Sequence, residues 1–180
     1  MSGAPHVDAS NKAVALLISV LALLLAISET LGNAAQTVAL TKNTEAANMW
    51  SFFQGKTIRA TTLSTAADML EADNTTNDKQ KKLVEKWRAT VKRYNSEPET
   101  GEGRKELAAR AKAFEKTRDT ALAAHHYYEL AAASVQIGIV VASASIVVSL
   151  PLLAWAGVVA GVLGTALIGI GYFAPTLHLF

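Results

Sequence analysis

From Leu130 to Phe180 the chain contains no Asp, Glu, Lys or Arg. A run of that length without charge cannot form the surface of a water-soluble domain, where charged side chains are normally exposed. It is expected to leave water for lipid. Backbone groups in hydrocarbon have no water to bond, so the run must fold as helices that satisfy their own N–H and C=O groups. Its apolar residues are continuous rather than alternating, which argues against strands. Pro151 lacks a backbone donor and disfavours a helical conformation in the residue before it, so it marks a tight hairpin tip. The reading is a second transmembrane helix over 130–150, a third over 152–173 and a tail over 174–180. At 1.5 Å rise per residue each helix can cross a hydrocarbon layer of about 30 Å.

A tail over 1–12 precedes another apolar stretch. Residues 13–31 (AVALLISVLALLLAISETL) predict a first span. Gly32, Asn33 and Ala34 offer the small residues of a signal-peptide cleavage site. The tail fits such a leader poorly because Lys12 is offset by Asp8, and an uncleaved span is expected.

The rest of the chain is water-facing. Of 17 basic and 15 acidic residues, every basic one except Lys12 lies between Lys42 and Arg118. So even a balance argues against a nucleic-acid partner. The absence of cysteine excludes disulfides, thiolate metal sites and cysteine nucleophiles. Arg110, Lys112, Lys116 and Arg118 stand close before the second span, whereas the hairpin tip is uncharged. By the positive-inside rule the middle region and the C-terminus are expected in the cytoplasm, with the N-terminus on the other side of the membrane.

Within 32–129 the pattern is helical, with breaks at 71–77 (EADNTTN) and 95–103 (NSEPETGEG). Helices are expected over about 32–70, 78–94 and 104–129, the first continuing the first span outward. Val84, Trp87, Val91 and Tyr94 recur at three- and four-residue steps, as do Leu107 and Phe114 in a stripe with Ala111, Ala121 and Tyr128. Arg118 and His125 interrupt that stripe. Folding back of the later helices on the first gives an all-α integral membrane protein with three transmembrane helices and a long cytoplasmic helical, coiled-coil-like stalk. Trp50 and Phe53 lie too far from the first span for a headgroup belt and are expected in the stalk seam.

The segment NTEAANMWSFFQGKTIR, with Ala46, Ala47, Trp50, Phe53, Gln54, Lys56 and Arg59, resembles the signature of a family of small bacterial membrane proteins, the domain of unknown function 4337. Residues 113–143 follow the same family order through Glu115, Arg118, Asp119, Tyr128, Glu129, Gln136 and Ser143. The resemblance implies the same three-span layout and no established activity. The chain departs from the family pattern at Pro151, where basic residues are expected.

Three groups of residues are candidates for function. Gly157, Gly161, Thr165 and Gly169 recur every four residues in the third span, with Gly164 nearby, and Ser134, Gly138 and Ala142 do the same in the second. Small residues let helix backbones approach in lipid, within a hairpin or between copies. His125, His126 and Glu129 form a cluster with metal-ligand chemistry, but two ligands on one turn are too few for a site. A headgroup anchor is expected instead for this HHYYE stretch, with Trp155, Tyr172 and Phe173 as further belt residues. Glu29, Gln136 and Ser143 could line a polar path.

No phosphate loop, HExxH or nucleophile elbow occurs. The expectation is therefore a non-enzymatic protein without cofactor or metal, in contact with lipid, forming a homo-oligomer or part of a larger membrane complex. An oligomeric ion channel or transport accessory subunit is the alternative.

Overall fold

The computed structural model describes residues 9–73 and 77–177. Residues 1–8 of the N-terminal tail, 74–76 of the expected turn and 178–180 of the C-terminal tail, and with them His6 and His178, lie outside the described residues. The described chain is all-α: α1 (Ala9–Ala72), α2 (Asp78–Asn95), α3 (Arg104–Val148) and α4 (Pro151–Phe173). Three of these helices, α1, α3 and α4, contain stretches long and apolar enough to cross a membrane. The chain divides into two compact units, Met1–Ala39 with Asp119–Phe180, and Leu40–Arg118.

In the first unit, α3 ends at Val148 and α4 starts at Pro151, with two residues between them. Ser149 takes a left-handed φ of 56° and Leu150 is extended, so the backbone reverses within these two residues. Pro151 then occupies the first turn of α4, where its missing N–H costs no hydrogen bond. The core is assembled from Leu21 of α1 and Ala131, Val135 and Ala142 of α3, all essentially buried. Packing there rests on close approach and dispersion.

The second unit packs the continuous α1 against α2 and the first part of α3. Asn77 caps α2: its side chain accepts from Lys79 N and Gln80 N at 3.0 Å each, while Gln80 Oε1 accepts from Asn77 N at 2.7 Å. This reciprocal pair satisfies donors that the helix start leaves open. The loop into α3 is folded tightly at Gly103, where a Cβ would collide with the backbone of Ser96 and Glu97. Glu106 holds the same loop, accepting from Ser96 Oγ at 2.7 Å and Glu97 N at 3.1 Å. The first of these bonds leads in pulling its carboxyl below the ordinary carboxylate range.

Candidate functional site

The glycines of α4 meet their neighbours within the chain. A Cβ at Gly157 would lie 3.0 Å from both the Ala142 side chain and Gly138 O. At Gly138 it would lie 3.1 Å from Ala160 Cβ, and at Gly164 only 2.5 Å from Val135 Cγ2. At Gly161 it would meet Leu21 of α1 at 2.6 Å. Ser134 completes the contact by donating from Oγ to Ala160 O at 2.9 Å, a hydrogen bond between α3 and α4. Gly169 is different, since a Cβ there would meet nothing within 4 Å, and Thr165 is exposed with its hydroxyl donated to Gly161 O of its own helix.

Tyr127 and Tyr128 correct an expectation. They are 4% and 5% exposed, where a headgroup belt requires them to face outward. Gly171 lies against both residues: a Cβ there would stand 2.9 Å from Tyr128 Cε1 and 3.1 Å from Tyr127 Cβ. The Tyr127 hydroxyl also donates to Leu177 O. Trp155, Tyr172 and Phe173 are exposed, as belt residues must be.

Of the possible metal ligands, His125 Nδ1 lies 3.0 Å from Gly32 O and its Nε2 lies 3.4 Å from Glu129 Oε1. His126 is exposed, its ring 6.4 Å from that of Tyr127. Among the described residues no three His, Cys, Asp or Glu side chains come together as a metal site. Glu29, Gln136 and Ser143 are all exposed. Gln136 and Ser143 stand seven residues apart and so share one outer face of α3, while Glu29 belongs to a cavity beside His125.

In the second unit the seam residues meet across the helices. Trp50 Nε1 donates to Glu115 Oε1 at 2.8 Å, and the Trp50 and Phe53 rings stand edge to face at 5.5 Å. Arg104 lies over Phe53 at 5.2 Å, and Lys42 over Phe114 at 5.0 Å. Val84 and Leu107 are buried, whereas Trp87, Val91, Tyr94 and Phe114 are half-buried. Arg118, which interrupts the stripe, donates from its guanidinium to Asn43 Oδ1 at 3.3 Å. Lys56 lies 3.8 Å and 3.5 Å from the carboxylates of Glu97 and Glu102. A lysine that is largely covered draws acids to itself because an unpaired charge there is costly.

Two features of α1 escape a reading based on large apolar residues. One is its seam of Ala46, Phe53, Ala60 and Ala67 at seven-residue intervals, covered by α2 and α3, with the three alanines buried. Counting alanine as apolar would have found it. The other is the face opposite. Thr41, Thr44, Asn48, Ser51, Gly55, Ile58, Thr62, Thr65 and Met69 follow one another at three- and four-residue steps, and all but Gly55 are exposed. No charge falls on this line. The signal was legible as a stripe without Asp, Glu, Lys or Arg in a region otherwise rich in them. Thr44, Ser51 and Thr62 donate their hydroxyls to carbonyls of the preceding turn, so they offer few donors outward.

Arg88 fastens α2 to this helix through Ser64, Asp68 and Glu71. Hydrogen bonding to Glu71 first, and to Asp68 next, raises the guanidinium above its already high ordinary value, so it stays charged.

Residues 10–174 match a family profile described as a domain of unknown function, DUF4337. No curated protein and no solved structure matches the chain.

Proposed function

The chain belongs to the DUF4337 family, and we propose that it is a non-enzymatic integral membrane protein that self-associates and scaffolds a larger membrane complex. The observation that carries this reading is the exposed, charge-free line along α1 from Thr41 to Met69. The solvent side of a helix packed on one flank ordinarily carries charge. Here Ile58 and Met69 are 67% and 72% exposed. Steps of three and four residues repeat every seven, the period at which a second helix can follow the first over many turns. A second copy of the chain presents the same period and the same lack of charge.

In this reading the Leu40–Arg118 unit is a coiled-coil-like stalk in the cytoplasm of a bacterial inner-membrane protein, with the N-terminus and the turn at Ser149 periplasmic. The basic residues from Arg110 to Arg118 support that orientation. Because Gly138, Gly157, Gly161 and Gly164 are packed within the chain, association in lipid falls to Gly169, Thr165 and Gln136. Gln136 makes no side-chain hydrogen bond among the described residues, and an amide in hydrocarbon gains from a partner on another helix.

The chain has no cysteine, so single cysteines report cleanly. Ile58→Cys and Thr62→Cys in native membranes are expected to crosslink into dimers, and the unmodified protein to run as an oligomer by native mass spectrometry in mild detergent. A monodisperse monomer with no copurifying partner and no crosslink overturns the proposal.

A second reading, an oligomeric ion channel or transport accessory subunit, is favoured by the shared outer face of Gln136 and Ser143. Ion flux in reconstituted vesicles that is absent, or unchanged by Gln136→Leu, removes it.

A further inference from the structure

Helix α2 carries seven basic residues against two acids, Asp78 and Glu85. Two of its cations are answered within the second unit: Arg88 by Asp68 and Glu71, and Arg93 by Glu97 at 3.5 Å. Lys79, Lys82 and Lys86 are not. They are exposed and make no ion pair or side-chain hydrogen bond among the described residues. Steps of three and four residues put them on one line, continued by Ala89 and Arg93, on the side of the helix away from the buried Val84. At 1.5 Å per residue the line is about 21 Å long. The arrangement works against the helix that carries it. Like charges three and four residues apart repel, and Lys79 and Lys81 stand in the first turn, where the helix dipole favours anions. What holds α2 is the cap of Asn77 and Gln80, the burial of Val84 and the bonds of Arg88, none of which uses the lysine line. Solubility would be served as well by mixed signs.

The flanks of the line select the partner. On one side Leu83, Trp87, Thr90 and Tyr94 follow at steps of four, three and four, with Leu83 39% exposed and the other three half-buried. On the other side stand Asp78 and Glu85. A nucleic-acid duplex or an anionic lipid surface is broader than one helix and would lay phosphates against those two carboxylates as well as against the lysines. A single helix, about 10–12 Å across, covers the line and the uncharged flank alone. We propose that the outer face of α2 docks an amphipathic acidic helix of a partner protein, with carboxylates along Lys79, Lys82, Lys86 and Arg93 and apolar side chains on Leu83 and Trp87. The inference rests on the scaffolding part of the function proposed above and gives that scaffold a partner of defined chemistry.

The test uses the full-length protein in phosphatidylcholine nanodiscs. Its probe is a labelled helical peptide of about fifteen residues, with glutamate at three- and four-residue steps and leucine beside them. Binding read by fluorescence anisotropy at about 0.15 M salt is expected, weakening about tenfold in Lys82→Glu/Lys86→Glu at unchanged helicity. Lys105→Glu/Lys112→Glu changes net charge equally at exposed positions of α3 and should weaken it far less. A probe with lysine in place of glutamate should bind the Lys82→Glu/Lys86→Glu protein better than the native one, as reversed complementarity requires. No binding of the glutamate probe, equal binding of a scrambled peptide of the same composition, or an equal loss in the α3 control overturns the proposal. Tighter binding of duplex RNA or of phosphatidylglycerol vesicles, with the same dependence on Lys82 and Lys86, also overturns it and assigns the face to phosphate. None of these outcomes involves the crosslinks through Ile58 and Thr62, so failure here and failure of self-association are read separately.

Discussion

Leu21 of α1 fills the space that Gly161 of α4 leaves empty: a Cβ on Gly161 would stand 2.6 Å from Leu21 Cδ2. Leu21 is 1% exposed and has nowhere to retreat. Gly161→Ala is therefore expected to destabilise the protein by about 1–3 kcal/mol, the usual range for overpacking. Leu21→Ala should relieve part of that cost, making the double variant less destabilised than the two single changes summed. Gly169→Ala, with open space around it, should be near neutral. Unfolding of all four proteins in one detergent checks the series.

Trp50 is the polar hinge of the second unit's seam. Trp50→Phe keeps an aromatic ring against Phe53 but removes the donor to Glu115. A loss of about 1–2 kcal/mol is expected, because a carboxylate is left without its partner. Denaturant unfolding followed by far-ultraviolet circular dichroism measures it without relying on the indole.

The pH response of the loop between α2 and α3 follows from Glu106. Its carboxyl titrates lower in the folded chain than when unfolded, chiefly through Ser96, so its stabilising contribution is present above the ordinary carboxylate value of about 4.3. That contribution is lost as pH falls through the lower folded value. The thermal midpoint is expected to drop less between pH 6 and pH 3 in Glu106→Gln than in the native sequence, by an amount read directly from the two melting series.

Arg88 ties α2 to α1 through one exposed guanidinium. Arg88→Ala should leave overall helicity unchanged while amide hydrogen exchange across Asp78–Asn95 becomes faster. Uniform exchange in both proteins would show that the buried Val84 contact holds α2 without it.

Charge placed on the outer line of α1 distinguishes an interface from a merely uncharged surface. Ile58→Glu is expected to weaken self-association about tenfold, since it would bury an unpaired carboxylate between copies. Arg59→Glu, at an exposed position that already carries a charge, should change it far less. Crosslinking yield in membranes gives the comparison.

How far these features could be read in advance depends on the kind of residue that carries them. The break between α3 and α4 was plain because Pro151 interrupts the charge-free run that starts at Leu130. The seam through Val84 and Leu107 was legible because large apolar side chains at helical spacing have one common use. Ala46, Ala60 and Ala67 carry too little surface to stand out, yet they are the residues that let α1 approach its neighbours. Tyr127 and Tyr128 resist reading for the converse reason: tyrosine near a span suits both a headgroup belt and a core, and only a glycine 43 residues beyond Tyr128, at Gly171, decides between them.

The sequence by itself determined that this chain is helical, that three of its stretches suit lipid and that one long region suits water. Those are properties of solvent preference, which each residue carries with it wherever it is placed. Which glycine faces which neighbour, that His125 stands between Gly32 O and Glu129, and that one line of α1 stays uncovered were decided by tertiary structure alone. Helical periodicity fixes the face on which a residue stands, but contact and hydrogen bonding depend on which other face arrives opposite it.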